Sequence, residues 1–524
     1  MLAIEIRRNT GIKGIKLPGN PKELKLTLYA DDNNPLLTTQ QSIVNLFAVL
    51  EKFRLASGCN INIAKTQGLT VGGAPIPDLP YPIEWNPEGG VRILGVFFHN
   101  KFHLTQKTTW EHIVQKMRIR AELLSTRDLS FFGKKININT LLLSKAWHVA
   151  TVIPATIKTS KAIDSIIFAY LFSNKTPHLP SHDILKLNFH QGGIGVLDFN
   201  LQQKSLRMNR LRHVLDKDNK ATWLTLPRLY LAKEILHRNN EWMFLENYPM
   251  IDYADPLVRY MNINMPFYLR ELLEFLRKYK YTYLILAVKS THTIYQMMLK
   301  GQAAATRIRS QEFWNTVTRR QLPWNRIWKT TFKSLFKGRY LNTYYKFLHN
   351  ALPSGQKMSS SKRPYDTHCR RCHRYETTIH IFVQCPFARE VWNNYFYIYE
   401  AFLQRPQVSY IEALFSTALP KNKHERLLLL TITTIIVHEL WRARCAQFHP
   451  PHTPTSVVAS TRIINSKIKM IHFAYAKNDS ECVKRLCLPS PICRYQNETF
   501  YFALPEPNDG ELPRDSDFTS GGED

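Results

Sequence analysis

Apolar and polar residues alternate in three short segments near the start of the chain, which predicts strands over residues 24–29, 61–63 and 91–98. The first segment runs into a polar turn that contains Asp31 and Asp32. Apolar residues over 42–55 recur at helical spacing, and Gly58 stands where such a helix should end. The first hundred residues are therefore predicted to be mixed α and β.

From about residue 105 onward, the apolar spacing becomes mainly helical. Helices are predicted over 109–124, 138–150, 161–172, most of 201–302 and 389–476. The most apolar run, 427–437, is shorter than the roughly 18 residues that span a bilayer. It also holds three threonines, so we expect a buried helix. The acidic, glycine-rich end of the chain has little to bury and is predicted to be disordered.

The net charge of the chain indicates which class of molecule it binds. The 524 residues include 70 lysines and arginines against 41 acidic residues, a net charge of +29. A folded protein this basic usually contacts a polyanion, of which nucleic acid is the first candidate and an anionic membrane surface the second. We find no signal-peptide pattern, and eight cysteines at this length do not indicate a disulfide scaffold. A reducing compartment, nucleus or cytosol, is expected.

Two neighbouring carboxylates follow the first predicted strand, in the string Tyr29-Ala30-Asp31-Asp32. Adjacent carboxylates repel each other unless a cation lies between them, and hard oxygen ligands select magnesium. Nucleotidyl transfer uses two such ions roughly 4 Å apart. The alternative is a solvated acidic turn, since Asp-Asp-Asn-Asn-Pro forms turns without metal.

A second cluster has metal-ligand spacing. Its pattern is C-x2-C-x7-H-x4-C, formed by Cys369, Cys372, His380 and Cys385. Three thiolates and one imidazole complete a tetrahedral shell around structural zinc and leave no open position for catalysis. His368 and His373 are alternative ligands, and incidental buried cysteines are the alternative to a metal site. Arg370 and Arg371 lie between the first two cysteines and are predicted to reach phosphate.

Basic and aromatic residues interleave between positions 307 and 346. Four aromatic residues recur every four positions, which makes one helical face and favours packing over base stacking: Trp324, Trp328, Phe332 and Phe336. Arg319 and Arg320 are instead candidates for phosphate contact.

Three short segments near the start of the chain resemble motifs of a known family. In their order, they resemble the last three motifs of the polymerase palm in LINE-type (non-LTR) retrotransposon reverse transcriptases. The segments are Tyr29–Asp32, 57–66 and 92–96. The resemblance implies that Asp31 and Asp32 are catalytic magnesium ligands and that Lys65 lies near the incoming triphosphate. It also implies that Tyr29 and Gly95 lie near the nucleic acid, with Gly95 in the primer grip. Without the resemblance, Lys65 is an ordinary solvated lysine and Gly95 relieves crowding in a strand.

Two further regions extend the resemblance. Lys134 and Lys135 resemble the family's thumb, which follows the template–primer duplex, although a basic turn explains them equally well. The string Gln191–Gly195 matches a family string after the thumb, and the cysteine cluster resembles the zinc-binding region beyond it. The implied fold is α+β at the N-terminus, a partial palm, followed by a mainly α-helical thumb and C-terminal region with a small zinc knuckle.

The implied organisation has six parts. These are a palm portion (1–103), a thumb (104–200), a basic helical region (201–355), the zinc knuckle (356–395), a helical region (396–490) and a mostly disordered tail (491–524). The implied function is RNA-directed DNA polymerisation on an RNA template and target DNA, in a ribonucleoprotein found in nucleus and cytoplasm, without a membrane. No aspartate precedes Asp31 and the family's fingers are not recognised, so we expect no activity from this chain alone. The alternative is a non-catalytic, retrotransposon-derived protein that binds RNA or DNA.

Overall fold

The computed structural model describes most of the chain. The described residues are 1–17, 23–30, 32–173, 180–216, 218–219, 221–237, 266, 269–270, 290–334, 338–359, 366–449, 453–478, 492–496 and 499–505. Asp31, much of the predicted helical stretch 201–302 and the tail from 506 lie outside them.

The chain divides into two compact units. The first comprises Met1–Leu124, Thr140–Ile167 and Asp198–Gly301; the second comprises Ser125–Asn139, Phe168–Leu197 and Gln302–Asp524. The mostly helical character predicted from the sequence is confirmed. The six-part division remains a prediction.

The first unit begins with short α and β elements. They are α1 (Leu2–Arg8), β1 (Ile15–Lys16), β2 (Glu23–Leu24), β3 (Leu26–Tyr29), β4 (Asp32–Pro35), α2 (Gln40–Ser57), β5 (Gln67–Gly68), β6 (Glu84–Trp85), β7 (Val91–Ile93) and β8 (Val96–Phe98). The strands form two-stranded sheets, antiparallel except for β5 with β6. Ile6, Leu26 and Leu46 belong to the apolar cluster that joins α1, β3 and α2.

Helix α2 matches its prediction closely. The Thr39 hydroxyl accepts a hydrogen bond from the Ser42 amide at its start, and Gly58 ends it in the left-handed conformation at φ 73°. Two strand predictions were wrong. Residues 61–63 lead into a 3₁₀ turn, Ile63–Lys65, instead of a strand. Residues 91–98 form a hairpin whose turn is Leu94-Gly95, both at positive φ, so Gly95 lies at the turn and not inside a strand.

Helices complete the first unit. They are α3 (Phe102–Ser125), α5 (Ser144–Val152), α6 (Ile157–Phe172), α8 (Phe199–Leu215), α9 (Thr225–His237) and α10 (Thr291–Ala305). The last residue of α3 and the last five residues of α6 belong to the second unit. The Phe199 ring packs against Trp110 and Trp147 at centroid distances of 5.7 and 5.8 Å. The predicted helix over 138–150 is interrupted, because Ile138–Leu142 is a π-helix.

The second unit is built around one long buried helix, α17 (Lys423–Phe448). Its other helices are α4 (Phe131–Asn137), α7 (His182–Lys186), α11 (Arg309–Thr318), α12 (Trp324–Thr331), α13 (Gly338–Leu348), α14 (Gly355–Met358), α15 (Pro386–Leu403), α16 (Tyr410–Leu414) and α18 (Val457–Asn478). The strands β9 (Cys493–Gln496) and β10 (Thr499–Phe502) form a hairpin in the region predicted as tail. Helix α17 packs against α13, α15 and α18.

The apolar run predicted as a buried helix lies in α17, and residues 428–437 are all buried. Its threonines are tolerated there because their hydroxyls donate to helix carbonyls: Thr431 to Leu427 at 2.7 Å and Thr433 to Leu429 at 3.1 Å. Among the described residues, no helix has both the length and the apolarity that a bilayer crossing requires.

Candidate metal centre and nucleic-acid surface

The four predicted zinc ligands come together in the second unit. The ligand atoms of Cys369, Cys372, His380 and Cys385 all lie within 4.8 Å of one another. The Cys369 and Cys385 sulfurs are 4.0 Å apart, and the Cys372 sulfur is 3.3 Å from His380 Nε2. Zinc bonds of tetrahedral geometry give ligand edges of about 3.8 Å between sulfurs and about 3.5 Å between sulfur and nitrogen. The cluster therefore has the size of a zinc shell. His368 and His373 are not part of it.

A tight hairpin presents the first two cysteines. His368 pairs with Tyr375 in a single β-bridge, and the Cys369 amide donates to the Arg374 carbonyl at 2.8 Å. The His373 amide returns to the Cys369 carbonyl at 2.8 Å, with His373 in the left-handed conformation at φ 55°. This closed turn points both thiols to one side, as the C-x2-C spacing requires.

A π-helical turn sets the other two ligands. His380 begins the π-helix His380–Gln384, and the Cys385 amide donates to the His380 carbonyl at 2.9 Å. Cys385 is then the N-cap of α15, with Pro386 in the first helical turn. Its sulfur thus lies at the positive end of an 18-residue helix, which would stabilise the negative charge of a metal-bound sulfur.

The cysteines also affect each other's protonation. The hydrogen bond between the two thiols lowers the pKa of Cys369 and raises the pKa of Cys385. Metal binding requires both thiols to lose their protons, so the affinity of the cluster for a cation should depend on pH.

A buried ion pair fixes the cluster to the long helix. The Arg444 guanidinium on α17 lies 2.7 Å from the carboxylate of Glu376, and the two side chains are 8% and 1% exposed. The same carboxylate accepts the Gly355 amide at 2.8 Å. The Arg444 guanidinium also lies 4.0 Å from the ring centroid of Phe448. Sequence reasoning missed this pair, since nothing in the spacing of Glu376 and Arg444 indicates it.

Two arginines of the knuckle, Arg370 and Arg371, bond to main-chain carbonyls, and the exposed Arg370 also lies 3.7 Å from the Asp366 carboxylate. Arg370 donates to the Gln447 carbonyl at 2.6 Å, and its guanidinium lies 4.5 Å from the Phe448 ring. Arg371 donates to the Thr455 carbonyl at 2.7 Å, and burial lowers its pKa. These bonds join the metal site to the flanks of α17 and α18, which is a structural role. Phosphate binding by either arginine remains a prediction.

Exposed cations instead lie on α12 and beside it. Arg326, Lys329 and Lys333 are exposed at positions i, i+3 and i+7, while Trp324 and Trp328 are buried on the opposite face. The prediction that these tryptophans pack is therefore confirmed. Arg319 and Arg320, at the end of α11, are also exposed. No ion pair involves these five cations within the described part of the chain.

The glycine string anchors α13. The Tyr345 hydroxyl and His349 Nε2 both donate to the Gly192 carbonyl, at 2.9 and 2.8 Å. A Cβ on Gly193 would overlap the Leu187 carbonyl oxygen, so close backbone approach requires this glycine, whereas Gly192 and Gly195 adopt positive φ. Burial lowers the pKa of His349 to about 4, so it is neutral at pH 7.

The predicted thumb lysines are half-buried. Lys134 bonds to the Ser173 hydroxyl and lies 5.6 Å from the Tyr170 ring centroid. Lys135 lies 5.2 Å from the Phe189 ring, and burial lowers its pKa. Both belong to α4, so the segment is a helix and not a simple turn. Their role towards a duplex remains a prediction.

The predicted palm residues are exposed in the first unit. Tyr29 pairs with Asp32 across the end of the β3–β4 hairpin, with Ala30 at φ 53° in the turn. Asp32, Tyr29 and Lys65 are exposed, and Tyr29 is 65% exposed. The Leu94 carbonyl next to Gly95 bonds to His148 Nε2 at 2.9 Å. A hairpin apex is the position expected for Asp32. Asp31 lies outside the described residues, and neither magnesium nor catalysis is tested by this geometry.

Comparison with known proteins gives two findings. Residues 308–392 match the family described as zinc-binding in reverse transcriptase, which includes all four ligands and helices α11 to α13. A transposon protein of Xenopus laevis, the Transposon TX1 uncharacterized 149 kDa protein, is 24% identical over 222 residues. That alignment covers 41% of this chain and 16% of the transposon protein. The Cys3His chemistry and the matched family together support Zn²⁺.

Proposed function

This chain resembles the C-terminal region of a non-LTR retrotransposon reverse transcriptase, and from that premise we propose that it is a retrotransposon-derived protein that binds nucleic acid through a zinc-stabilised helical unit. The observation that carries the proposal is the Cys3His cluster inside the matched region, which also contains the exposed cations on α12 and beside it. Its partners would be an RNA template and target DNA in a ribonucleoprotein of the nucleus and cytoplasm.

The zinc ion has a structural role in this proposal. Cys369, Cys372, His380 and Cys385 would occupy all four tetrahedral positions, so no water could be activated there. The ion would hold the knuckle hairpin against the first turn of α15. Arg370 and Arg371 would then be held against the carbonyls that they already bond.

The α12 surface, defined as Arg326, Lys329 and Lys333, would contact the phosphate backbone. Its cations are unpaired within the described residues, so no bonded carboxylate would compete with phosphate there. Arg326 and Lys329 stand on α12, which buried tryptophans fix, and Lys333 follows the end of that helix. Arg319 and Arg320 would extend this contact. Shape and charge, without base readout, are all that this surface offers.

A salt titration of RNA binding tests the surface. The double variant R326Q/K329Q should weaken binding of a single-stranded RNA, and the slope of log K against log salt should fall by about 0.7 for each phosphate that is no longer neutralised. The matched control, K421Q/K423Q, removes two exposed lysines elsewhere in the second unit. Equal weakening in both variants would attribute binding to net charge alone, and a flat wild-type slope would contradict polyanion binding.

For the palm residues we propose the family's two-metal nucleotidyl transfer, with Asp31 and Asp32 as magnesium ligands. Lys65 would lie near the triphosphate, and Tyr29 and Gly95 would lie near the primer. The support is the hairpin that puts Asp32 at an exposed apex. Residues 1–524 alone should not extend a primer, because Asp31 is their first aspartate. Nucleotide incorporation that is abolished by D32N would contradict this expectation.

The second candidate is a non-catalytic RNA- or DNA-binding protein. It is favoured by the location of the family match, which lies wholly in the second unit with the zinc ligands and the α12 surface. RNA binding that is unchanged by D32N and by magnesium removal would favour this candidate.

A further inference from the structure

A Cys3His site that holds zinc has a net negative charge, because three thiolates outweigh one divalent cation. Two of the sulfurs, those of Cys369 and Cys385, belong to buried residues. A buried charge is unfavourable unless an opposite charge and hydrogen-bond donors surround it. The residues around the cluster should therefore supply both, and the structure shows which residues can do so.

Backbone amides supply the donors. The Cys369 sulfur accepts hydrogen bonds from the amides of Arg371 and Cys372 in the tight turn of the hairpin. The Cys385 sulfur accepts one from the amide of Phe387, in the first turn of α15. First-turn amides have no partner within their own helix, so this donor is available to the sulfur. Both buried sulfurs are thus held by the main chain of the segments that carry them.

The side chains of two of these donor residues stack on each other. The Arg371 guanidinium lies 3.8 Å from the centroid of the Phe387 ring. Both side chains are half-buried, and a guanidinium stacks well on an aromatic face. Arg371 is also fixed from another side, since it donates to the Thr455 carbonyl at 2.7 Å. One side-chain contact therefore joins the turn that follows Cys369 to the helix end that follows Cys385.

The positive charge of Arg371 is directed to the sulfurs. Burial lowers the pKa of Arg371, and the thiolates of Cys385 and Cys369 act against this by stabilising its positive charge. Among the described residues, no carboxylate forms an ion pair with Arg371. The neighbouring Arg370, in contrast, lies 3.7 Å from the Asp366 carboxylate. Arg371 is therefore the better counter-charge for the cluster.

We propose that Arg371 is a positioning residue of the zinc site, which offsets the negative charge of the bound cluster and stacks on Phe387. The stack holds the turn of Cys369 against the helix end that carries Cys385. This role rests on the zinc site of the proposed function and adds to it a residue that is not itself a ligand. Residues that surround a metal site in this way typically change metal affinity about 10–100-fold when they are replaced.

Competition for Zn²⁺ between the full chain and a chromophoric chelator, at one fixed pH, tests the proposal. R371Q should bind zinc about 10–100-fold more weakly than wild type. R371K keeps the charge and loses the planar stack, so its affinity should lie between those of R371Q and wild type. The matched control R374Q removes an exposed arginine from the same hairpin and should bind zinc as wild type does.

A double-mutant cycle tests the stack itself. F387L removes the aromatic face, so it should weaken zinc binding in the wild-type background. The same substitution should have little further effect in R371Q, because the stack is already lost there. Additive effects of F387L and R371Q on the affinity would contradict a shared contact.

Co²⁺ in place of Zn²⁺ gives a spectroscopic signature of the ligand set. At saturating Co²⁺, R371Q should show the same absorption spectrum as wild type, because its four ligands are unchanged. An altered spectrum would overturn the proposal, since Arg371 would then be needed to form the ligand set itself. Equal affinities of R371Q and wild type, equal weakening by R374Q, or no rescue by R371K would also overturn it. A wild type that binds no zinc would instead contradict the metal site of the proposed function, so the two failures are distinguishable.

Discussion

The buried pair of Glu376 and Arg444 gives the sharpest test of how the metal site is held. In E376Q the side chain keeps its shape and loses its charge, so the Arg444 guanidinium stays buried without a counter-ion. Removing one partner of a buried pair typically costs 3–5 kcal/mol. The carboxylate is 1% exposed and also accepts the Gly355 amide, so about 3 kcal/mol is expected.

The reverse variant, R444M, leaves the carboxylate buried and should cost a similar amount, about 3 kcal/mol. The double variant E376Q/R444M removes both charges and should be destabilised much less than the sum of the two single effects. The expected coupling is about 2–3 kcal/mol, within the range of directly interacting pairs. Against a total stability of roughly 5–15 kcal/mol, such effects are readily measured.

Urea unfolding of the full chain in excess zinc, followed by tryptophan fluorescence, provides the measurement. Trp314, Trp328 and Trp392 are buried in the second unit and report on it. The control R405M breaks a pair whose arginine is 45% exposed and should cost below about 1 kcal/mol. Additive single effects, or single effects no larger than that of R405M, would refute a role for the pair in stability.

Three further predictions concern the second unit. G193A should destabilise the protein by more than about 3 kcal/mol in thermal unfolding, because a Cβ at this position overlaps a carbonyl oxygen. A Cβ at position 338 meets no other atom, so the control G338A should leave the stability unchanged. In a colorimetric release assay, wild type should bind one zinc ion per chain and C385S should bind none. Cys59 is exposed and lies outside the cluster, so the control C59S should bind zinc as wild type does. The pKa of His349 is about 4 in the folded protein and about 6.5 in the unfolded chain, so the unfolded chain binds the proton first as the pH falls. The free energy of unfolding should therefore fall by about 3 kcal/mol between pH 6.5 and 4, and it should fall less in H349Q. An equal fall in H349Q would contradict the assignment to His349.

The zinc ligands could be predicted because their chemistry restricts spacing. Two cysteines separated by two residues face one ion only in a tight turn, and the hairpin around Cys369 has that form. The buried part of α17 could be predicted for a similar reason, since one apolar run of that length has few other places in a folded chain. In both cases a local constraint determines the outcome.

Local hydrogen bonds overrode the alternating pattern near residue 62. The Asn62 side chain accepts the Lys65 amide at 3.2 Å and closes a 3₁₀ turn, which competes with strand pairing. At Leu94-Gly95, two successive left-handed residues form the turn of a hairpin. The strand pattern alone did not separate such a turn from a bulge.

Contacts between distant segments could not be predicted. Arg444 meets Glu376 from 68 positions away, and Arg371 meets the Thr455 carbonyl from 84 positions away. The position of Arg370 and Arg371 beside the cysteines indicated phosphate contact, but only the fold shows that both bond to carbonyls of distant segments.

The π-turn between His380 and Cys385 makes the zinc site sensitive to chain length as well as to residue identity. Each residue of an α-helix advances the chain by about 100°, and the wider turn here accommodates one residue more than an α-turn would. A variant in which a single residue of this turn was deleted would still contain all four ligands, yet its last sulfur would face the wrong way. Counting cysteines and histidines would therefore overestimate how many such variants can still hold the ion.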